Sequence, residues 1–368
     1  MFSVLCAQGD EARTWGRLID ALPSALRDIH FLPEYGRIYG QCYGYEPLLG
    51  LYQGDQGYVL QPFVRRPLRE LPFLRGAADA DELSDIANAY GYGGPLCSAP
   101  DPAAARRLYA GFAAAFASWC DENGIASEFA SLHPFMSEHQ RPMIAGVLAP
   151  RHEKDVVFVD LGADAARMMK SLRKGHRSSV AAARRAGVRV ERMEATAANL
   201  ERFGELYHAT MVRRQAAQRW FVPDGYFAAC VRQLGARRAS LFFASIGGEV
   251  ESACLLMHDF ATAYYHFAAT RARHPELGVN TLMVLETALW AKAAGFARYH
   301  LGGGVTPSRD DSLLRFKRGF SERSAPLYTY FCVRDQVVYD RLCERKRAHE
   351  RATAGSESAS DFVPVYRR

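Results

Sequence analysis

The sequence predicts an α/β protein of the α+β kind, built as two domains whose mixed, mostly antiparallel sheets are flanked by helices. Length is the first reason: 368 residues exceed what one core comfortably holds, because chains of this size divide into domains. Composition is the second, with 49% hydrophobic and 23% charged residues, the balance of a packed chain. The third is the order of elements. Each half offers a helix, an antiparallel hairpin or meander, a helix and then a strand, although the halves share no obvious identity.

Residues 1–150 form the first predicted domain. DEARTWGRLIDAL carries apolar residues at helical spacing behind Asp10 as N-cap. EPLLGLY and GYVLQPFVRRPL read as a hairpin turning on Gly54, Asp55 and Gly57. AYGYGGPL is a Gly/Pro/Tyr loop, and PAAARRLYAGFAAAFASWCDENG is a helix closed by Asn123-Gly124. ASEFASLHPF follows as a strand.

The second domain is expected over 151–325. RHEKDVVFVDL reads as a strand crossing between the halves, and Asp164 caps a long helix over about 165–186, ended by Gly187. VRVERM is a strand, AANLERFGELYHATMVRRQA and GYFAACVRQL are helices, and ASLFFASIGGEVESACLLMHD is a hairpin turning on Gly247-Gly248. TAYYHFAAT adds a third strand, and VNTLMVLETALWAKAAGF and ARYHL complete a helix and a returning strand. A closing strand and helix occupy 326–350, and residues 351–368, which include ATAGSESASD, read as a flexible tail.

Several function classes are disfavoured at once. No apolar run reaches the length of a membrane span, and MFSVLCAQGDEARTW lacks the basic start and apolar stretch of a secretory signal, so a cytosolic protein is expected. The eight cysteines are scattered without metal-ligand spacing and read as buried or half-buried thiols; no metal is expected. No P-loop, HExxH, kinase or Ser-His-Asp pattern is present.

Charge is concentrated rather than spread. The net charge is +6, yet residues 167–192 hold nine Lys or Arg against one Glu, an excess of +8 that leaves −2 for everything else. An anionic, phosphate-bearing partner near this basic helix follows, whether a substrate, tRNA or the inner face of a membrane; DNA is not expected. A solvated basic surface is the plainer reading.

Two further segments carry candidate chemistry. In RARHPELGVNT, Arg271, Arg273 and His274 precede a helix start near Val279, and Gly278 lets the backbone approach a phosphate closely. An ordinary strand-to-helix connection also fits. With only Gly278 present and Asn280 in place of a small residue, the loop departs from the Gln/Arg-x-x-Gly-x-Gly/Ala pattern of acetyl-coenzyme-A binders. Gly302, Gly303 and Gly304 then exclude side chains, which suits either a substrate's close approach or a tight corner. Beyond them, LLRFKRGF sets Lys317 among apolar neighbours, where an ammonium can meet charge that develops in acyl transfer. If that segment is extended, Lys317 and Arg315 share a face opposite Phe316.

Taken together, the chain resembles the FemABX family of the GNAT acyltransferase superfamily over about residues 15–340. The carriers are PEYGRIYG, YGYGGPL and ASLHPF in the first half. LRKGHRSSVAAARRAGV, YHATMVRRQ, YYHFAAT, LGVNTLMVLETALWAKAAGF, YHLGGG and LLRFKRGF carry it in the second. The resemblance implies two tandem GNAT-like domains with a cleft between them. It also implies transfer of an aminoacyl group from aminoacyl-tRNA, or of an acyl group from acyl-CoA, to an amine of a peptidoglycan or polysaccharide precursor. No tightly bound cofactor is implied.

By the same resemblance the family's Phe-Lys pair falls on Phe316 and Lys317, the lysine stabilising the tetrahedral intermediate. Arg213 or Arg214 falls on the acceptor-diphosphate arginine and Tyr264 or Tyr265 on the acceptor tyrosine, with Gly302–Gly304 and Arg315 beside them. Arg271, Arg273, Gly278, Asn280, Lys174 and Arg177 form the expected donor side. The family's coiled-coil arm has no counterpart, and its first-domain acceptor lysine is not evident, Arg37 or Arg65 being the available substitutes. A non-catalytic GNAT-fold protein that binds tRNA or anionic lipid through the basic helix is the competing expectation.

Overall fold

The structure, a computed structural model, describes residues 1–77, 80–306, 308, 310–354 and 363–367. The chain divides into two compact units: Met1–Glu153 with Leu327–Arg368, and Lys154–Pro326.

The first unit runs β1 (Phe2–Cys6), α1 (Gly9–Ala21), α2 (Pro33–Tyr43), β2 (Glu46–Gly54), β3 (Gly57–Pro67), β4 (Ser84–Ala87), β5 (Leu96–Cys97), α3 (Pro102–Glu122), β6 (Ile125–Ser131) and α4 (Ser137–Ile144). β7 (Arg151–Asp160) contains the division between the units. The expected hairpin is β2–β3, paired from Glu46↔Arg65 to Gly54↔Gly57. α3 starts on Asp101, whose carboxylate accepts from Ala104 N at 2.7 Å, with Pro102 in the first turn. α1 begins one residue before Asp10, so that carboxylate lies in the first turn while Gln8 holds the N-cap position. The sheet order is β1-β2-β3-β4-β6, extended by the last strand of the chain.

The second unit continues with α5 (Ala165–Ser171), α6 (Lys174–Arg185), β8 (Arg189–Met193), α7 (Ala197–Arg213), α8 (Tyr226–Leu234), β9 (Ala239–Ile246), β10 (Glu249–Asp259), β11 (Thr262–Thr270), α9 (Val279–Ala293), β12 (Arg298–Gly302) and α10 (Ser312–Arg318). Its sheet order is β7-β12-β11-β10-β9-β8. Within it, β11 and β12 are parallel and joined by the α9 crossover, as a parallel pair requires. β12 ladders with Thr262–Tyr264 of β11 on one edge and with Val157–Asp160 of β7 on the other. One face of the sheet packs on α5, α6, α9 and α10 through Met168, Leu172, Val180, Leu282, Leu285 and Leu314. The other meets α7 and α8, where Tyr207, Tyr226 and Phe227 surround Phe267 at ring spacings of 5.4–5.6 Å.

The single basic helix expected over 165–186 is two helices. Leu172 leaves the helical region (φ −57°, ψ 142°) and is buried, while Arg173 becomes the N-cap residue of α6. Arg177 donates from Nη1 to the Lys170 carbonyl at 3.1 Å and to that of Leu172, closing the end of α5. The LLRFKRGF segment is also helical, not extended: Asp311 caps α10 by accepting from Leu314 N at 2.9 Å. Arg315, Phe316 and Lys317 therefore fan around a helix instead of alternating across a strand.

The chain closes with β13 (Ser324–Val333), which pairs with β6 from Thr329↔Ser131 to Val333↔Ser127, and α11 (Gln336–Ala354). Most of ATAGSESASD lies outside the described residues. Residues 363–367, which the sequence placed in the same loose tail, are instead packed. Tyr366 is 1% exposed and bonds to Ser127 (2.6 Å) and Asp85 (3.1 Å), and Arg367 pairs with Asp85 at 2.6 Å.

Candidate active site

The three glycines and the lysine beyond them meet in one corner of the second unit. Lys317 is half-buried and donates from Nζ to the Gly303 carbonyl at 2.7 Å. A Cβ on Gly302, whose φ is +77°, would sit 3.2 Å from that Nζ. One on Gly303 would sit 3.0 Å from the Asp155 carbonyl, and one on Gly304 2.6 Å from the Asp311 carboxylate. The space kept clear of side chains is thus filled by the chain's own polar groups, and the glycines build a tight corner around the lysine.

Asp311 ties the corner together. One oxygen caps α10, and the other accepts from Val305 N (3.1 Å), Thr306 N (3.0 Å) and Thr306 Oγ1 (3.2 Å). Burial works to raise its carboxyl pKa, but the hydrogen bonds from Thr306 and Leu314 outweigh it and hold the group below the usual range. Lys317 goes the other way: burial first, then the like charge of Lys154, push it down to about 7, with Asp311 opposing. Such an ammonium is poorly hydrated and responsive to charge that appears beside it.

Phe316 packs its half-buried ring on the core and on Phe320, at 5.3 Å. His176, on the first turn of α6, was not singled out from the sequence. Its Nε2 lies 2.9 Å from the Phe316 carbonyl, and its ring stands edge-on to Phe320 at 4.6 Å. The signal was present in the pairing of LRKGH with a glycine after FKR, but nothing local joins residues 140 positions apart.

The other expected site residues are distributed around the unit. Arg213 gives its guanidinium to the Thr270 (2.6 Å) and Arg271 (3.3 Å) carbonyls, bracing the end of β11. Arg214 is exposed and lies near enough to Tyr265 to favour its ionised form against a larger burial effect that raises the phenol. Tyr264 and Tyr265 face opposite sides of β11: Tyr264 is buried against His300 at 5.1 Å, and Tyr265 packs on the core that includes Tyr299. Arg315 and Lys174 are exposed.

On the expected donor side, Arg271 reaches Glu249 (3.7 Å), and Arg273 reaches Glu249 (3.9 Å) and buried Glu251 (3.8 Å). Asn280 accepts from Ser252 Oγ at 2.7 Å. Gly278 is left-handed (φ +67°), and a Cβ there would lie 2.5 Å from that of Ser179. The glycine is needed for α6 to pack on the start of α9, and Arg177 closes α5 as described.

Among the described residues, Lys170, Arg173, Lys174, Arg185, Arg189, Arg315 and Arg318 have no carboxylate partner, whereas Arg184 pairs with Glu286 at 2.8 Å. Of the candidate substitutes for an acceptor lysine, Arg65 pairs with Glu46 at 2.6 Å and Arg37 with Glu34 at 3.5 Å.

The first unit holds a polar cluster that the sequence reading also missed. Buried Asp28 accepts from His30 Nδ1 at 2.6 Å and lies 3.4 Å from His133 Nε2, and His133 Nδ1 accepts from Phe135 N at 3.3 Å. Ligand-type atoms of the three residues lie within 4.8 Å of one another. Burial raises the Asp28 carboxyl, but the two histidines outweigh it and leave it well below the usual carboxylate range.

Residues 168–318 match the family model described as an acetyltransferase (GNAT) domain. No curated protein sequence matches the chain. Among solved structures, FemX is similar at 14% identity with a TM-score of 0.65, covering 90% of this chain and 98% of that one. L-PGS from Bacillus licheniformis follows at 12% identity and a TM-score of 0.54, covering 93% and 97%. A tandem GNAT protein from the clavulanic acid biosynthesis pathway is 10% identical at a TM-score of 0.53, covering 91% and 98%. Residues 168–318 thus form a domain of the GNAT acyltransferase class. Over the whole chain the fold is FemABX-like, with two GNAT-like units.

Proposed function

We propose that the protein transfers an aminoacyl group from aminoacyl-tRNA to an amine of a cell-envelope precursor, of peptidoglycan or polysaccharide type, in the cytosol. The observation that carries the reading is the Lys317 corner. An ammonium whose pKa burial lowers to about 7 is held on Gly303, in a structure fixed by Asp311. When an amine adds its lone pair to the donor's ester carbonyl, the carbonyl oxygen becomes an oxyanion. The bond to the tRNA oxygen then breaks and the attacking nitrogen gives up a proton. A cation already in place lowers that barrier without reorganising at the moment of reaction.

Two observations favour an ester of tRNA over a coenzyme-A thioester as donor. Each feature that suggested a pyrophosphate loop has a partner within the unit: Arg271 and Arg273 meet Glu249 and Glu251, and Gly278 makes room for Ser179. The cations without carboxylate partners instead gather on α5, α6, β8 and α10, which suits a polyanion.

The lowered pKa also supports a second role for Lys317, as the neutral amine that removes the proton from the acceptor. The test is turnover of labelled aminoacyl-tRNA and, in parallel, labelled acetyl-coenzyme A by the purified protein and by Lys317→Met. Full turnover by the variant removes Lys317 from the mechanism, and turnover of the thioester alone reverses the donor assignment.

A further inference from the structure

We propose that His176 is a positioning residue for Lys317, gripping the last turn of the short helix that carries it; this rests on Lys317 being the reactive cation. α10 has seven residues, too few to hold a helix by itself. Its place must come from tertiary contacts: Leu314 is buried in the core, and the two ends are held separately. Asp311 supplies the first end. At the other, the final turn tightens, with Gly319 N donating to the Phe316 carbonyl and Phe320 N to that of Lys317, each at 3.0 Å, and the Phe316 oxygen keeps a second lone pair for a side-chain donor. His176 supplies one: its Nε2 lies 2.9 Å from the Phe316 carbonyl, and because a carbonyl only accepts, that nitrogen carries the proton.

The socket around the ring is closely shaped. The imidazole packs on Phe316 (5.3 Å) and Phe320 (4.6 Å). A Cβ on Gly319 would overlap it, so residue 319 must be glycine while the ring is there. Arg173 N donates to the Gly319 carbonyl at 2.9 Å, fastening the same turn a second time. The break between α5 and α6 makes this reach possible, since it frees the amide of Arg173 and turns the first residues of α6 toward α10. Lys317 is thus the residue after a clamped carbonyl and two before the glycine under the ring.

The charged groups facing the pair are known: Lys154 and Asp311 act on Lys317, and Arg173 acts on His176. Burial, the largest cause, lowers the imidazole's pKa; the bond to the Phe316 carbonyl opposes it and Arg173 adds to it, so the net shift favours the neutral ring, which adds no third like charge. Should the grip be lost, Lys317 gains freedom to reach water and its pKa rises.

The test reads Lys317 directly in the full chain, through the pH dependence of its acylation by a small reagent, followed at that residue by mass spectrometry. The wild-type midpoint is expected near 7. His176→Phe keeps a ring and loses the donor, and Gly319→Ala displaces the imidazole. Each should raise the midpoint by about one pH unit, a tenfold change in the proton equilibrium. His176→Gln, which restores an N–H donor, should return it toward the wild-type value. Where turnover is measured, the first two variants should lower kcat by about ten- to a hundredfold with KM little changed.

A merely structural role would lower Tm and leave the midpoint alone. An unchanged midpoint in folded Gly319→Ala and His176→Phe overturns the proposal, and if His176→Phe does not fold, Gly319→Ala decides. A shifted midpoint in a protein that transfers nothing would leave the grip standing and sink the function reading instead.

Discussion

At the scale of single residues, the sign of the pH response distinguishes the two roles open to Lys317. Its pKa is depressed to about 7, burial being the larger cause and Lys154 the second. If the ammonium stabilises the oxyanion, kcat should fall as pH rises through about 7; if the amine is a base, kcat should rise over the same interval. A pH–rate profile checks this, and Lys154→Met should move the limb to higher pH in either case, because a like charge has gone. Lys317→Met should cost roughly a hundred- to a thousandfold in kcat, the usual effect of deleting one oxyanion donor. An apolar neighbourhood and three glycines were enough to single out this lysine from the sequence. The purpose of the glycines was not legible, because Gly302 makes room for Lys317 and Gly304 for Asp311, contacts that fold-level geometry alone creates.

Elements show where periodicity fails. The hairpins, α3, α7 and α9 follow from their apolar spacing, and β11 follows from TAYYHFAAT. LLRFKRGF offered no such pattern in eight residues, and its first part is helical because Asp311 caps it and the surrounding core accepts Leu314. The basic helix broke at Leu172, which buries its side chain and gives its carbonyl to Arg177; propensity cannot see either contact. Two predictions belong here. Asp311→Ala removes the cap and the bonds to Val305 and Thr306, and should destabilise the second unit by about 1–2 kcal/mol in thermal melts. It should also lower the Lys317 midpoint further, since the opposing carboxylate is gone. Arg173→Glu with Lys174→Glu should weaken binding of charged tRNA and flatten its salt dependence by about 2 in the log–log slope, as two phosphate contacts would predict. Equal binding by the variant at low salt would remove α6 from the donor surface.

On the scale of the whole molecule, the first unit is completed by residues more than two hundred positions away. Asp85 has no exposure and sits between Arg66 (2.7 Å), Arg367 (2.6 Å) and the Tyr366 hydroxyl (3.1 Å). Composition pointed to a loose tail because ATAGSESASD is poor in apolar residues, and it missed the two residues near the end that a buried carboxylate recruits. Burial raises Asp85, but the two guanidiniums outweigh it and its pKa is lowered. A carboxyl lowered on folding contributes stability above its unfolded pKa of about 3.9, and that contribution is lost as pH falls through the folded value. Arg367→Ala leaves the buried carboxylate with one cation fewer and should cost about 2 kcal/mol at neutral pH. The same change raises the folded pKa toward the unfolded one, so the deficit should shrink with acid. Denaturant melts of the two proteins should therefore converge as pH falls below the unfolded carboxylate pKa and through the lowered folded one. A gap that stays constant through that range would mean that Arg367 acts through packing and not through the charge of Asp85.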